Sequence, residues 1–430
     1  MNPLDIANKI RPLTEQSNKE IFQNIWVDVR KALAEMPQLE KAFHIFWLLG
    51  PFILLIERSP ADIWLSILAI AFVVRSIIKR DGAWLEVFWV RASFLFLVVC
   101  MVSSAFSKMP SYAFSEALAW FRFPLFAMAT AFWLGTDRRL LYGMLISTAL
   151  GMILMSGILT AEAMIVGQKG GRLSWPYDDL VSGNYLSKVG LPAFTIMVAL
   201  AIGAKPRLAS TMGGMSLFII IISVLAGERI NSILSICGGM LAALAWKPKW
   251  WRWFMALAFG ALTLLSIVLI SPTIHNRYID RFIAQLPVHA GSNHYRLMAT
   301  GIEASKGSFV LGLGPATYRD LCPTIIDQSS KFWCSNHPHN FYVQFITEIG
   351  ITGLIAGSLM IISIVWAAHA GWRNNRENVS AATAFVIPLG LFFPIQTTGD
   401  FFGQWNNIFM WSAIALALAA ARNLVPSKPR

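Results

Sequence analysis

The sequence predicts an all-α polytopic membrane protein of about twelve transmembrane helices, with one mainly helical periplasmic domain between spans nine and ten. Three observations predict it. Of the 430 residues, 56% are hydrophobic and only 13% are charged, whereas soluble domains carry about 25% charged residues. Apolar runs of the roughly 20 residues that a bilayer core requires recur along the chain. The loops between them alternate between basic and almost charge-free, as expected when translocated loops shed Lys and Arg.

Taken in order, residues 1–42 are polar, with Ile21, Phe22, Ile25, Trp26, Val29 and Leu33 at roughly helical spacing. They predict a cytoplasmic amphipathic helix lying on the inner leaflet. Spans one to nine occupy residues 43–272, with cores near 43–57, 61–78, 86–106, 113–134, 140–166, 187–204, 209–227, 230–246 and 254–272. Residues 273–348 form the external domain, which is too long for a connector. Spans ten to twelve fill 349–422, with cores near 349–368, 381–396 and 406–422, and residues 423–430 are a cytoplasmic tail. Pro51, Pro192 and Pro388 interrupt three of the runs, because proline removes a helical hydrogen bond.

Charge orients the chain. Arg75, Lys79 and Arg80; Arg138 and Arg139; Lys205 and Arg207; Lys247, Lys249 and Arg252; Arg373 and Arg376; and Arg422, Lys428 and Arg430 all fall in alternate loops or the tail. The other loops are nearly limited to Arg58, Lys108 and Arg229. Both termini are therefore expected inside. The segments on that side hold about 21 of the 35 Lys and Arg, so the net charge of +12 reads as a topology signal and not as nucleic-acid binding. No small-residue cleavage site follows an early apolar run, so no secretory signal peptide is expected.

The external segments hold the residues suited to chemistry. Residues 273–348 contain five of the seven histidines (His275, His289, His294, His337 and His339), a turn with Gly312, Gly314 and Pro315, and the pair Cys322 and Cys334. In an oxidising compartment those two cysteines are expected to bond; Cys100 and Cys237 lie within spans and read as packing residues. His337-Pro338-His339-Asn340 is followed by nine residues and Gly350-Ile351-Thr352-Gly353. A neutral imidazole there can accept a proton from a hydroxyl, Asn340 can orient it or a substrate, and Gly350 and Gly353 allow close helix approach. A capped helix start with two incidental histidines explains the same spacing. His-Pro-His is a poor chelating spacing, so no metal is assigned. Arg229 lies at the tip between spans seven and eight, and Arg296 opens the external domain in Asn293-His294-Tyr295-Arg296. Guanidinium groups at such positions suit phosphate, although Arg229 can equally pair with Glu228. Arg122 lies within an apolar run, and the loops 168–188 and 397–406 carry Lys188 and Asp400.

With these residues in hand, the chain resembles the bacterial O-antigen polymerase and ligase family of inner-membrane glycosyltransferases. The resemblance rests on the span count, a large late external loop, and the His-Asn, nine-residue, Gly-x-x-Gly motif met by His339, Asn340, Gly350 and Gly353. Arg229 stands where the family has a Ser-Arg, here Glu-Arg; Arg296 precedes an expected helix and glycine turn; Asp400 matches an acidic residue of the last external loop. The resemblance covers most of 40–425 and is specific mainly over 290–355. It implies an O-antigen ligase transferring glycan from undecaprenyl diphosphate to a sugar hydroxyl of lipid A-core at the periplasmic face. It implies inversion and no metal or other cofactor, with His339 as base, Arg229 and Arg296 on the diphosphate, and Lys188 and Arg122 as lesser anion ligands. His337, Asn340 and Asp400 would contact substrate or orient these groups.

An O-antigen polymerase and a protein O-oligosaccharyltransferase use the same donor and are the nearest alternatives. From a different class, a secondary transporter or lipid flippase would have a similar span count, but would show related halves and charges at midplane. A metal-dependent transferase would draw on Asp178 and Asp179, adjacent carboxylates that read more simply as solvated.

Overall fold

The computed structural model describes residues 18–179, 182–227, 229–246, 291–327 and 331–424, with a few positions between 258 and 284. The ninth predicted span, most of 273–290, residues 1–17 and the tail from 425 lie outside the described residues. Within them the chain is helical, and the sole β pairing is an isolated bridge between Lys169 and Arg172.

The helices used below are α1 (Asn18–Ala34), α2 (Gln38–Leu48), α3 (Arg58–Lys79), α4 (Phe88–Ala105), α5 (Pro110–Leu134), α6 (Arg138–Ile165), the bent α7 (Ser182–Val189 and Leu191–Gly203), α8 (Pro206–Leu225), α9 (Arg229–Trp246), α10 (Asn293–Ser305), α11 (Tyr318–Ile325), α12 (Phe341–Asn374), α13 (Val379–Leu391) and α14 (Gln404–Asn423). Among the described residues, seven are long and apolar enough to cross a membrane, or eight if the two halves of α7, bent by 59°, form one span. The predicted count of about twelve is thus met in part. Each of the three segments interrupted by proline breaks: after α2, before Pro51; at Gly190, before Pro192; and within α13, before Pro388. α13 extends 13 residues, short of the roughly 20 that a full crossing needs.

α14 is the axis of the bundle. From Ile408 to Ala421 every residue is buried, as expected of a helix apolar on all sides. α1 lies against α6, with Val29 and Ala32 buried and Glu35 paired to Arg139 at 2.7 Å. The basic loops gather at one end. There Arg138 donates to the Asn423 carbonyl, Trp246 to that of Glu377, and Lys79 meets Glu40 at 2.7 Å. The segments 166–179, 291–327, 331–341 and 392–404, with residues 182, 227 and 229, lie at the other end, because α6, α8 and α13 finish there and α9, α12 and α14 start there.

The loops at that second end rest on a buried aromatic cluster. Phe345 of α12 packs on Phe401 with ring centroids 4.6 Å apart, and Phe401 packs on Trp120 of α5 at 5.0 Å. Trp120 also meets Trp411 of α14 at 5.9 Å. The segment 397–406, read from sequence as polar, therefore sinks Phe401 and Phe402 into the core and is held like a helix end rather than left as a mobile turn.

Candidate active site

At the end opposite the basic loops lies a cavity of about 650 Å³, within the size range of small-molecule sites. Arg172, Lys188, Arg229, His294, His339 and Asn406 form its polar wall. Ile233, Leu234, Phe341, Phe393 and Ile395 form an apolar floor. No carboxylate lines it among the described residues. Ile233, Phe393 and Ile395 are also 40%, 51% and 72% exposed, so the floor continues onto the apolar flank of the bundle.

His339 owes its place to local backbone chemistry. It adopts φ +59°, a left-handed conformation that is unfavourable for a side-chain-bearing residue and tends to mark functional positions. The turn is held from both sides. The Thr398 amide donates to the His339 carbonyl at 2.9 Å. Asn340 then caps α12, its Oδ1 accepting from the amides of Tyr342 and Val343, while its Nδ2 donates to the carbonyls of Pro394 and Gln396. These four bonds occupy the asparagine amide fully, so Asn340 fastens loop to helix; its side chain has no capacity left for substrate.

Three imidazoles follow one another here. Between ring centroids, His337 lies 4.1 Å from His339 and His294 lies 5.8 Å from it. Burial, reinforced by the charges of His337 and His294, pushes the His339 pKa down to about 3. Burial likewise lowers His337, against the opposing pull of Asp400, and burial together with the Arg229 charge lowers His294. All three rings are therefore neutral near pH 7. A histidine whose folded pKa lies below its unfolded value of about 6.5 stabilises the fold fully above that pH. Its contribution is lost as pH falls toward the folded pKa. The unfolding midpoint of detergent-solubilised protein is accordingly expected to fall between about pH 7 and about pH 5, and His339→Asn should flatten that slope.

Two glycines seat α12 on the segment that runs from Phe309 to Gly314. Gly350, at φ +75°, lies so close to Val310 that an added Cβ would stand 2.3 Å from its backbone, and Gly312, at φ +71°, is equally close to Glu348. Across this contact the amides of Leu313 and Gly314 donate to the carbonyls of Thr347 and Glu348, and that of Ile351 to Phe309. The sequence reading that Gly350 allows close approach thus finds its partner in the turn that holds Gly312. Gly353 has a more local role, since a Cβ there would meet the Ile349 side chain at 2.2 Å. Below the contact, the fully buried Gln344 bridges Glu348 and Asp400, donating to both at 2.9 and 2.7 Å and accepting from the Phe401 amide.

The cations arrive from two other elements. Lys188 lies in a π-helical turn, Tyr185–Val189, at the bend of α7, a distortion that frequently marks functional sites, and it donates to Asn406 Oδ1 of α14. Arg229 starts α9 directly after the turn at Gly227, whose φ of +79° suits glycine.

The structure therefore brings His339, Arg229 and Lys188 to one cavity, with the His337 ring packed against that of His339. It does not bring the rest. Arg122 pairs with Asp62 of α3 at 2.8 Å and lies off the cavity wall. Arg296 turns its guanidinium over the Trp333 ring at 5.9 Å, and it is His294, two residues earlier, that lines the cavity. Residues two apart on a helix point about 200° apart, so only one of this pair can face inward, and sequence does not say which. Asp400 lies beneath the site in the Gln344 network. Asp178 is exposed beside Lys169 at 3.9 Å. Cys322 and Cys334 are joined in a disulfide that ties α11 to the segment leading to His337. Of the residues assigned no role from sequence, Arg172 and Asn406 gave no signal beyond lying in polar loops, and Gln344 and Glu348 gave none.

Residues 214–358 match the family model described as O-antigen ligase. The matched segment runs from α8 into α12 and includes Arg229, His294 and His339; Arg172, Lys188 and Asn406 lie outside it. None of the curated proteins compared matches the chain.

Proposed function

We propose, from the match of residues 214–358 to the O-antigen ligase family model, that the protein transfers O-antigen polysaccharide from undecaprenyl diphosphate to a sugar hydroxyl of lipid A-core. The reaction would take place at the periplasmic face of a bacterial inner membrane. One observation carries the reading: a neutral histidine and several cations share a cavity whose apolar floor continues onto the exposed flank of the bundle. A lipid-linked donor has this polarity, a prenyl chain joined to a diphosphate and then a glycan.

In this reading the acceptor hydroxyl attacks the anomeric carbon from the face opposite the diphosphate, and the configuration inverts. His339 takes the hydroxyl proton. The anomeric C–O bond breaks, and its electron pair goes to the diphosphate oxygen, where Arg229 and Lys188 stabilise the growing charge. A ring held near a pKa of 3 is always unprotonated but weakly basic. The bound diphosphate corrects this, because adjacent negative charge favours the imidazolium. The base thus strengthens when the donor is in place. No metal is required by this scheme, and transfer is expected to persist in chelator.

The test is an assay of purified protein with the lipid-linked donor and either lipid A-core or a second lipid-linked chain as acceptor. Transfer to lipid A-core supports the ligase; extension of the second chain would replace it with a polymerase. In the same assay Arg229→Ala is expected to lower the rate about 10²–10³-fold, the range seen when one charge-stabilising donor is removed. A loss under threefold would remove Arg229 from the mechanism.

A further inference from the structure

The loop between α6 and α7 is built to present one side chain, and the proposed function leaves that side chain unused. Its first residues form a tight hairpin. Lys169 and Arg172 exchange backbone hydrogen bonds of 3.0 and 3.1 Å around Gly170 and Gly171, at φ +58° and +76°. The hairpin is anchored on both sides. Gln168 donates to the Leu225 carbonyl at 2.5 Å, and the Leu173 amide approaches that of Ala226, which fixes the loop beside the turn that launches Arg229. On the other side Glu162, 1% exposed near the end of α6, takes the Ser174 amide and hydroxyl and the Trp175 amide at 2.8–2.9 Å. A buried carboxylate satisfied by several donors is a rigid anchor, because releasing it leaves a charge unsolvated. Lys169 turns outward to Asp178, and Arg172 lines the cavity with Lys188 and Arg229.

We infer that Arg172 is a third cation of the anion site, that it contacts the diphosphate, and that it makes the cavity selective for a diphosphate over a monophosphate. This rests on the lipid-linked donor proposed above. The charge balance carries the argument. A donor diphosphate esterified at both ends bears two negative charges, and departure from the sugar creates a terminal phosphate that ionises further near neutral pH. Two cations match the bound donor. A third, beside them on the cavity wall, favours the leaving group over the ground state, which is how a binding residue contributes to rate. A planar guanidinium can bridge two phosphate oxygens at once.

The experiment measures binding of undecaprenyl diphosphate and of undecaprenyl phosphate to the full-length protein in nanodiscs, without acceptor. Wild-type protein is expected to prefer the diphosphate at least tenfold. Arg172→Gln should weaken diphosphate binding about tenfold and change monophosphate binding less than threefold, so that the preference collapses; Arg172→Lys should retain part of it. Unchanged preference in both variants overturns the inference and leaves the donor reading intact. Failure of wild-type protein to bind the diphosphate overturns both. Should Arg172→Gln unfold, Arg172→Met, uncharged and of similar length, takes its place, and an unchanged diphosphate preference there overturns the inference.

Discussion

His339→Ala is expected to lower glycan transfer about 10²–10⁴-fold, the usual contribution of a positioned general base, while donor binding stays within a few-fold of wild type. The split between rate and binding separates this role from a structural one. Alanine at φ +59° also strains the turn, so His339→Asn is the stricter variant, because asparagine tolerates the left-handed conformation and supplies no base. Both should lose the same activity. If His339→Asn kept more than a tenth of the wild-type rate with lipid A-core as acceptor, the proton would have to leave by another route, and His294 would be the next group to test. The pH profile gives a second readout. With the free-enzyme pKa pushed down to about 3, kcat/KM should show no acid limb from this residue near pH 6.5. The limb for kcat should lie higher than that for kcat/KM, because it belongs to the complex with the anionic donor.

Gly350→Ala is expected to destabilise the protein by about 2–4 kcal/mol, combining backbone strain at positive φ with overpacking. The added methyl has no flexible neighbour to displace, since the atoms within 2.3 Å belong to the Val310 backbone. Transfer should fall as well, since α12 carries His339 at its mouth and the Gly312 contact fixes the helix against the turn at 310–314. Gly157→Ala provides the comparison. It lies exposed on α6 with nothing within 4 Å of the new Cβ, and should be neutral or stabilising by up to about 1 kcal/mol. Equal unfolding midpoints for the two variants would show that the α12 contact is looser than described.

Much of this fold was legible in the residues. Hydropathy located the long helices, because a bilayer imposes one length on every crossing. The prolines marked the breaks, because each removes a hydrogen bond locally. His339, Arg229 and Lys188 could be named as candidates because a charged or titratable group is conspicuous in a chain only 13% charged. Arg122 was conspicuous for the same reason, yet its partner is Asp62, sixty residues away in sequence. Arg296 and His294 were indistinguishable, since the facing of α10 follows from Gly301 packing on Pro338 and Val343.

The sequence alone thus determined which segments are helical and apolar, which loops are basic, and which family motif is present. Each of these follows from composition within a window of about twenty residues or fewer. The tertiary structure decided which polar groups meet. It packed His337 against His339, paired Arg122 away from the cavity, anchored the loop of Arg172 through Glu162, and used every hydrogen bond of Asn340 for scaffolding. Side-chain partnership depends on helix rotation and on contacts between distant segments, and neither is encoded in any single stretch of chain.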